Sequence, residues 1–209
     1  MTEYLVPSGY GEVEFVEKRS RFIGRVWVTE TEEEAIAKVK ETKEKHRDAN
    51  HNVYAYIIRE GNAMRYSDDG EPQGTSGMPT LNVFRGEQIF NVCCVVTRYF
   101  GGTLLGTGGL ARAYSHTAKL ALEAAGISVM RLWDRILISC TYAQYERIKN
   151  EIEANAGVGE NTDYGADIVI TVLLPEDNTK VFMENIVELT AGQVFAEKID
   201  SEFFGVRIR

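Results

Sequence analysis

The order of apolar periodicities over the last third of the chain constrains the fold more than any other feature. Ile136, Ile138 and Cys140 alternate with Leu137 and Ser139, the period of two that marks a strand. Tyr145, Ile148 and Ile152 then recur at helical spacing, and this helix stops near Gly157. Residues 158–164 supply a further strand, with turn formers between Asn161 and Gly165. Ile168 to Leu174 is a β-branched apolar run and reads as a strand. Pro175-Glu176-Asp177-Asn178 opens a second helix carrying Phe182, Ile186 and Leu189 on one face, with Gly192 as its stop. Phe195, Glu197 and Ile199 alternate with Val194, Ala196 and Lys198 in a closing strand. The order β-α-β-β-α-β is that of a ferredoxin-like split βαβ, one sheet face covered by two helices. Two separate βαβ pieces would give the same order, but the segment leaves little room for them.

The preceding residues read differently. Extended segments around 10–18 and 21–28 offer Phe15, Phe22, Ile23, Val26, Trp27 and Val28 to a core. Thr31-Glu32-Glu33-Glu34 is a capping box, Thr31 accepting from the third backbone N–H and Glu34 reaching back. Ala35, Ile36 and Val39 form the inner face of the helix it opens, while Glu34/Lys38 and Glu41/Lys45 are i,i+4 pairs on a solvated face. Val53 to Arg59 and Ala63 to Tyr66 form a hairpin across Glu60-Gly61-Asn62, and Gln88 to Phe100 is a long apolar strand. A helix runs from near Thr107 to Gly126. Arg131, Trp133 and Asp134 interrupt the pattern, so the spacing predicts domains over residues 1–130 and 131–209.

Charge limits what such a chain binds. The 209 residues carry a formal net charge of −8, which repels polyanions at long range. Residues 1–130 hold 15 Lys and Arg against 17 Asp and Glu; residues 131–209 hold 8 against 14. An anion site therefore belongs to the first part. No apolar run approaches the ~18 residues of a membrane span, and the opening Met1-Thr2-Glu3-Tyr4-Leu5 does not read as a signal peptide. Cys93 and Cys94, adjacent in a strand, point to opposite faces, and with Cys140 they read as buried thiols of a reducing compartment. The expected location is the cytoplasm, with no membrane association.

Two stretches depart from core grammar. In Ser67-Asp68-Asp69-Gly70-Glu71-Pro72-Gln73-Gly74-Thr75-Ser76-Gly77, three carboxylates precede a turn able to start a helix. Local composition favours a polar turn, with Asx turns at Asp68 and Asp69 and Thr75 or Ser76 as helix N-cap, over a loop holding carboxylates near a ligand. The second stretch, Thr97-Arg98-Tyr99-Phe100-Gly101-Gly102 through Thr107-Gly108-Gly109-Leu110-Ala111-Arg112, bends from a strand into a helix and exposes backbone N–H groups at its positive end. Leu110, Tyr114, Thr117 and Ala121 share a core face, while Arg112, His116 and Lys119 share another and, with Arg98, make a basic patch. The alternative is packing glycines, with Arg98 and Arg112 paired to Asp68, Asp69 or Glu71. There is no Walker lysine, dinucleotide fingerprint, zinc-ligand spacing or serine-hydrolase elbow. His46 reads as solvated, and His51 as lining a site or capping a loop.

Tyr66-Ser67-Asp68-Asp69-Gly70-Glu71-Pro72, Gly74-Thr75-Ser76-Gly77, Thr97-Arg98-Tyr99-Phe100-Gly101-Gly102, Leu105-Gly106-Thr107-Gly108-Gly109-Leu110 and His51-Asn52 together resemble the IMPACT/YigZ family in its bacterial two-domain form. Thr75-Ser76-Gly77 stands where the family usually has Thr-Ala-Gly. The resemblance implies an α+β protein: an N-terminal α/β sandwich like the second domain of a small-subunit ribosomal protein, then the C-terminal ferredoxin-like βαββαβ domain. Eukaryotic members are implicated in translational control; for bacterial members the family offers no settled activity.

The expected function is a non-catalytic binding or regulatory protein linked to translation control. RNA, the ribosome, a translation factor or a phosphorylated small molecule is its expected partner. The anion-binding residues are Arg98, Gly101, Gly102, Thr107, Gly108, Gly109, Arg112, His116 and Lys119, supported by His51, Asp68, Asp69, Glu71, Thr75 and Ser76. No catalytic residue, cofactor or metal is assigned. A protein-interaction adaptor and an enzyme acting on a small phosphorylated substrate are the alternatives.

Overall fold

Seven consecutive buried residues make Val92–Tyr99 the centre of a five-stranded sheet. The computed structural model describes residues 3–209, which divide into Glu3–Val129 with Gly205–Arg209 and, separately, Met130–Phe204. In the first unit the strands are β1 (Tyr4–Pro7), β2 (Gly11–Glu17), β3 (Ser20–Val28), β4 (His51–Ile58), β5 (Ala63–Ser67) and β6 (Val92–Tyr99). The helices are α1 (Glu32–Lys45), α2 (Gly77–Gly86) and α3 (Thr107–Ala125). The sheet is antiparallel in the order β2-β3-β6-β4-β5. β1 lies outside it and bridges Leu5 to Ile89.

Both faces of this sheet are covered, which explains why β6 is apolar from Val92 to Val96 rather than alternating. Phe22, Val26, Val53, Ala55, Cys94 and Val96 face α2 and α3, whereas Tyr56, Ile58, Cys93 and Val95 face Ala35 and Val39 of α1. The adjacent cysteines do point to opposite faces. Burial pushes the Cys93 thiol up to about 12 and Cys94 well above its ordinary value, so both are inert packing groups.

α3 buries Leu110, Ala113, Tyr114, Thr117, Ala118, Ala121, Leu122 and Ala125, one unbroken helical stripe. Its small residues bring it almost backbone to backbone with β2 and β3. A Cβ on Gly11 would lie 2.3 Å from the Ala121 carbonyl oxygen, and one on Gly24 2.8 Å from Thr117 Cγ2. That close approach fixes the middle and last turns of α3 against β2 and β3.

Several local expectations are corrected. Glu34 reaches back to the N–H of Glu30, not of Thr31, although Thr31 caps the Glu34 N–H as expected. Ile36 is 52% exposed, and Thr42 completes the inner face with Ala35 and Val39, because the steps of four and three keep those three in line. The ion pair on the outer face is Lys38–Glu41, at i,i+3. The strand placed at 88–100 begins only at Val92, since Gln88 and Asn91 have positive φ and form the exit from α2.

The second unit contains β7 (Ile127–Cys140, whose first three residues lie in the first unit), α4 (Tyr142–Ala154), β8 (Val158–Tyr164), β9 (Ile168–Pro175), α5 (Glu176–Leu189) and β10 (Ala196–Arg207, whose last three residues lie in the first unit). Its sheet runs β10-β7-β9-β8, so β9 is inserted between the first two strands of the unit, the split βαβ arrangement. Ile148, Ile152, Phe182 and Ile186 cover Ile136, Ile138, Ile170 and Val172. Arg131, Trp133 and Asp134 do not interrupt a pattern, because they lie within β7. Asp134 is held by Lys198 and Ser201, which lets a carboxylate sit buried in a strand. The architecture is α+β in two units, and no helix among the described residues is long and apolar enough to cross a membrane.

Candidate functional site

The bend between β6 and α3 separates two clefts, and the residues expected to act together are divided between them. Arg98, the last buried residue of β6, is 5% exposed. Its NH1 donates to Glu71 Oε1 at 2.6 Å and its NH2 to Ser20 Oγ at 3.2 Å. The guanidinium lies over the rings of Phe22 and Phe100, which leaves its buried Nε without an acceptor. Glu71 Oε1 also accepts from the Tyr114 hydroxyl at 2.8 Å. Burial, and then this carboxylate, raises the Tyr114 phenol far above its ordinary value. Arg98 is thus the structural ion pair that the sequence left open as an alternative.

The acidic loop is divided in the same way. Asp68 Oδ1 accepts from the Ser76 and Gly77 N–H groups and the Ser76 hydroxyl, and Oδ2 from the Gly74 N–H. It thereby caps α2, whose own N-cap residue, Ser76, makes no side-chain capping bond. Burial raises the Asp68 carboxyl, but these four donors outweigh it and hold the group below the usual carboxylate range. Thr75 turns inward to the Pro72 carbonyl. Asp69, with φ +47°, accepts from Lys43 at 2.5 Å and from the Asn52 N–H at 2.6 Å. No Asx turn forms at Asp68 or Asp69. Only Glu71 orients an arginine.

The first cleft, ≈ 420 Å³, is lined by Asn50, His51, Gly70, Glu71, Pro72, Arg98, Phe100, Leu104, Leu105, Gly106, Thr107 and Leu110. His51 Nδ1 donates to the Asp69 carbonyl at 2.9 Å, since a carbonyl only accepts; in the neutral ring Nε2 is then an acceptor, 3.8 Å from Glu71 Oε2. Above them stands the first turn of α3. Its N-cap, Gly106, has no side chain to satisfy the N–H groups of Thr107, Gly108 and Gly109.

The second cleft, ≈ 210 Å³, lies across Leu105 and is lined by Phe15, Glu17, Lys18, Gly109, Arg112, Ala113 and His116. Arg112, His116 and Lys119 are exposed on α3, and among the described residues neither Arg112 nor Lys18 has an ion pair or hydrogen bond. His116 packs its ring edgewise on Phe15, with centroids 4.9 Å apart. Lys18 was not anticipated. It and Arg19 form the two-residue loop between paired Glu17 and Ser20, with φ of +45° and +68°. A loop of this geometry favours Asn-Gly, and each side chain forced into it costs roughly 1 kcal/mol. The only trace in the sequence was the short gap between two extended segments.

Gly101 has a packing role. A Cβ there would lie 2.0 Å from the Arg19 carbonyl carbon, and its N–H donates to Ser20 Oγ. Gly102 and Gly106 hold positive φ in open space, as turns require.

His46 is half-buried rather than solvated. Its Nε2 accepts from Arg25 at 2.8 Å, and Nδ1 donates to Tyr99, which donates to Asp48. Burial, then the Arg25 and Lys45 charges, lowers the His46 imidazole. This chain was missed because Arg25 and Tyr99 are far from His46 in sequence.

A two-unit α+β protein with the acidic loop and glycine-rich bend packed around one buried arginine–glutamate pair defines the class. The Impact N-terminal domain matches residues 18–122, and a domain of unknown function (DUF1949) matches residues 138–193. The chain belongs to the IMPACT family. It is 35% identical to "IMPACT family member YvyE" of Bacillus subtilis, over 91% of this chain and 88% of the relative. To "IMPACT family member YigZ" of Escherichia coli it is 32% identical, over 93% and 97%. The mouse "Protein IMPACT" is 34% identical over 50% of this chain and 34% of its own length. A solved structure described as "Crystal structure of an hypothetical protein" superposes with a TM-score of 0.60 at 31% identity, covering 96% of this chain and 98% of that one.

Proposed function

We propose that the protein is a non-catalytic binding module of translation control that holds a phosphate-bearing ligand, RNA in the first instance, on the outer face of α3 and the β2–β3 loop. The observation that carries this reading is Arg112. It is exposed and without an internal partner in a cleft it shares with Lys18 and His116, while Arg98 is consumed by Glu71. Lys119 extends the same face. A cation kept free beside a strained, basic hairpin loop suits phosphate contacts, which release counterions and need no deep pocket.

The segregation of charge supports it. Met130–Phe204 holds 6 Lys and Arg against 14 Asp and Glu, a difference of −8 that equals the net charge of the whole chain. The first unit is therefore neutral on balance, and a local basic face there is not overwhelmed.

The test is anisotropy of a labelled single-stranded RNA with wild type and with Lys18→Ala/Arg112→Ala at several salt concentrations. Wild-type affinity should fall with salt by a log–log slope of about 0.7 per phosphate contact, and the double variant should lose one to two contacts. Its stability should stay within about 0.5 kcal/mol, because neither side chain is bonded internally. Undiminished binding by the folded double variant would refute the reading.

A further inference from the structure

The His51–Glu71 cleft is not part of that basic face, and its chemistry is different. Glu71 Oε1 is fully engaged by Arg98 and Tyr114, but Oε2 accepts no hydrogen bond among the described residues. In the neutral ring, with Nδ1 committed to the Asp69 carbonyl, His51 Nε2 is likewise an acceptor without a donor. The two atoms lie 3.8 Å apart, one on a glutamate side chain 3% exposed and the other on a histidine side chain 22% exposed, and both residues line one cleft. Lone pairs so placed call for a shared donor.

A phosphate is the wrong occupant, since it would bring more negative charge and no donors to Glu71. A group with several N–H donors and a positive charge is the right one. At the other side of the cleft the polarity reverses: the unsatisfied N–H groups of residues 107–109 lie at the positive end of α3 and suit a carboxylate. Between the two poles the lining is Pro72, Phe100, Leu104, Leu105 and Leu110. Leu104 is 82% exposed, an apolar side chain at the rim with nothing covering it. At ≈ 420 Å³ the cleft lies within the ~300–1,000 Å³ range of small-molecule sites.

We infer that this cleft binds a free α-amino acid with an apolar side chain. Its ammonium donates to Glu71 Oε2 and His51 Nε2, its carboxylate accepts from the first turn of α3, and its side chain packs on Phe100, Leu104 and Leu105. The buried charges then balance, Arg98 offsetting Glu71 and the zwitterion adding no net charge. The inference is independent of the RNA reading, because Arg112 and Lys18 take no part in it.

The experiment is calorimetric titration of the full chain with L-leucine, L-isoleucine and L-phenylalanine, and with three probes: leucinol, which lacks the carboxylate, 4-methylvalerate, which lacks the ammonium, and inorganic phosphate. At least one amino acid should bind saturably in the micromolar-to-millimolar range, and each single-pole analogue should bind at least about tenfold more weakly. His51→Ala should abolish binding and Leu104→Asp should weaken it, both as folded proteins by circular dichroism, while Arg112→Ala should bind as wild type does. Three results overturn the inference: no amino acid binding up to millimolar concentration, 4-methylvalerate or phosphate binding as tightly as leucine, or unchanged binding by folded His51→Ala. Glu71→Gln is less suitable, because it disturbs the Arg98 pair.

Discussion

Asp68 stands in the loop as an acid near a prospective ligand, and its geometry makes it a helix cap instead. Replacing it tests which description is right. In Asp68→Ala the Gly74 N–H, at an exposed position, regains water, so its loss costs little. The cap consists of the bonds to the Ser76 and Gly77 N–H groups, and each of these buried donors costs about 1 kcal/mol when stranded, the low end of the range because Asp68 is only half-buried. The sum is about 2 kcal/mol, or a fall in Tm of about 4–8 °C for a chain this size. Asp68→Asn keeps Oδ1 as acceptor and loses the charge, so it should cost about 1 kcal/mol. The pH dependence has a definite sign. A carboxyl held low by hydrogen bonds contributes its full stabilisation above the unfolded-state value of about 3.9, and loses it as pH falls through the lower folded-state value. The gap between wild type and Asp68→Asn should therefore be constant near neutrality and close in acid. Urea unfolding followed by circular dichroism at pH 7 and pH 3 measures both. If Asp68→Ala unfolds within 0.5 kcal/mol (about the surface-substitution limit) of wild type, the capping argument is wrong.

Further outcomes follow from the same contacts. Glu71→Ala should cost about 3–5 kcal/mol in urea unfolding, because it strands a buried guanidinium and the Tyr114 hydroxyl. Gly101→Ala should destabilise by about 1–3 kcal/mol or more through collision with the Arg19 backbone, whereas Gly102→Ala, in open space, should cost only its positive φ, about 1 kcal/mol. Lys18→Asn with Arg19→Gly should raise stability by about 1–2 kcal/mol by relieving the left-handed loop, and under the proposed function it should weaken RNA binding by removing the loop's charge. His46, with its imidazole lowered, stabilises fully above about pH 6.5; as pH falls further the unfolded chain takes the proton first and stability drops. His46→Gln should flatten that slope in thermal melts between pH 6.5 and 5 (about the unperturbed histidine range).

The fold was legible wherever one periodicity governed a segment. The stripe of α3 and the alternation in β7 follow directly from burial on one side, and the split βαβ follows from element order. Expectations failed where a local rule met a tertiary neighbour. Ile36 is exposed although apolar, because the helix is aimed by Ala35, Val39 and Thr42 against Tyr56 and Cys93. Trp133 and Asp134 look like a break in pattern and are part of a strand, since Lys198 and Ser201, some 65 residues later, satisfy the acid. The candidate site was legible as residue types and not as pairings. Nothing in the string tells that Glu71, rather than Asp68 or Asp69, takes Arg98. That choice depends on the positive φ of Asp69 and Gly70, which turns the three carboxylates in three directions.

Those three directions also explain why arginine count is a poor guide to function here. Arg98 and Arg112 lie on either side of one glycine-rich bend and look equivalent in sequence, yet one is 5% exposed with both terminal nitrogens bonded and the other is exposed and unbonded. A buried guanidinium already neutralised has little left to offer an external anion, and removing it chiefly damages the fold. An unbonded one keeps its whole field for a ligand and costs the fold nothing when removed. The pairing of Arg98 with Glu71 has a second effect. By drawing Oε1 inward it leaves Oε2 facing the cleft beside His51, so the contact that withdraws Arg98 from anion binding also turns an acceptor toward a donor-bearing ligand. A charge-conserving variant tests the structural role: Arg98→Lys should keep the charge but lose the second bond to Ser20, lowering stability in urea unfolding by about 1–3 kcal/mol, while under the proposed function any RNA affinity carried by Arg112 should stay as in wild type.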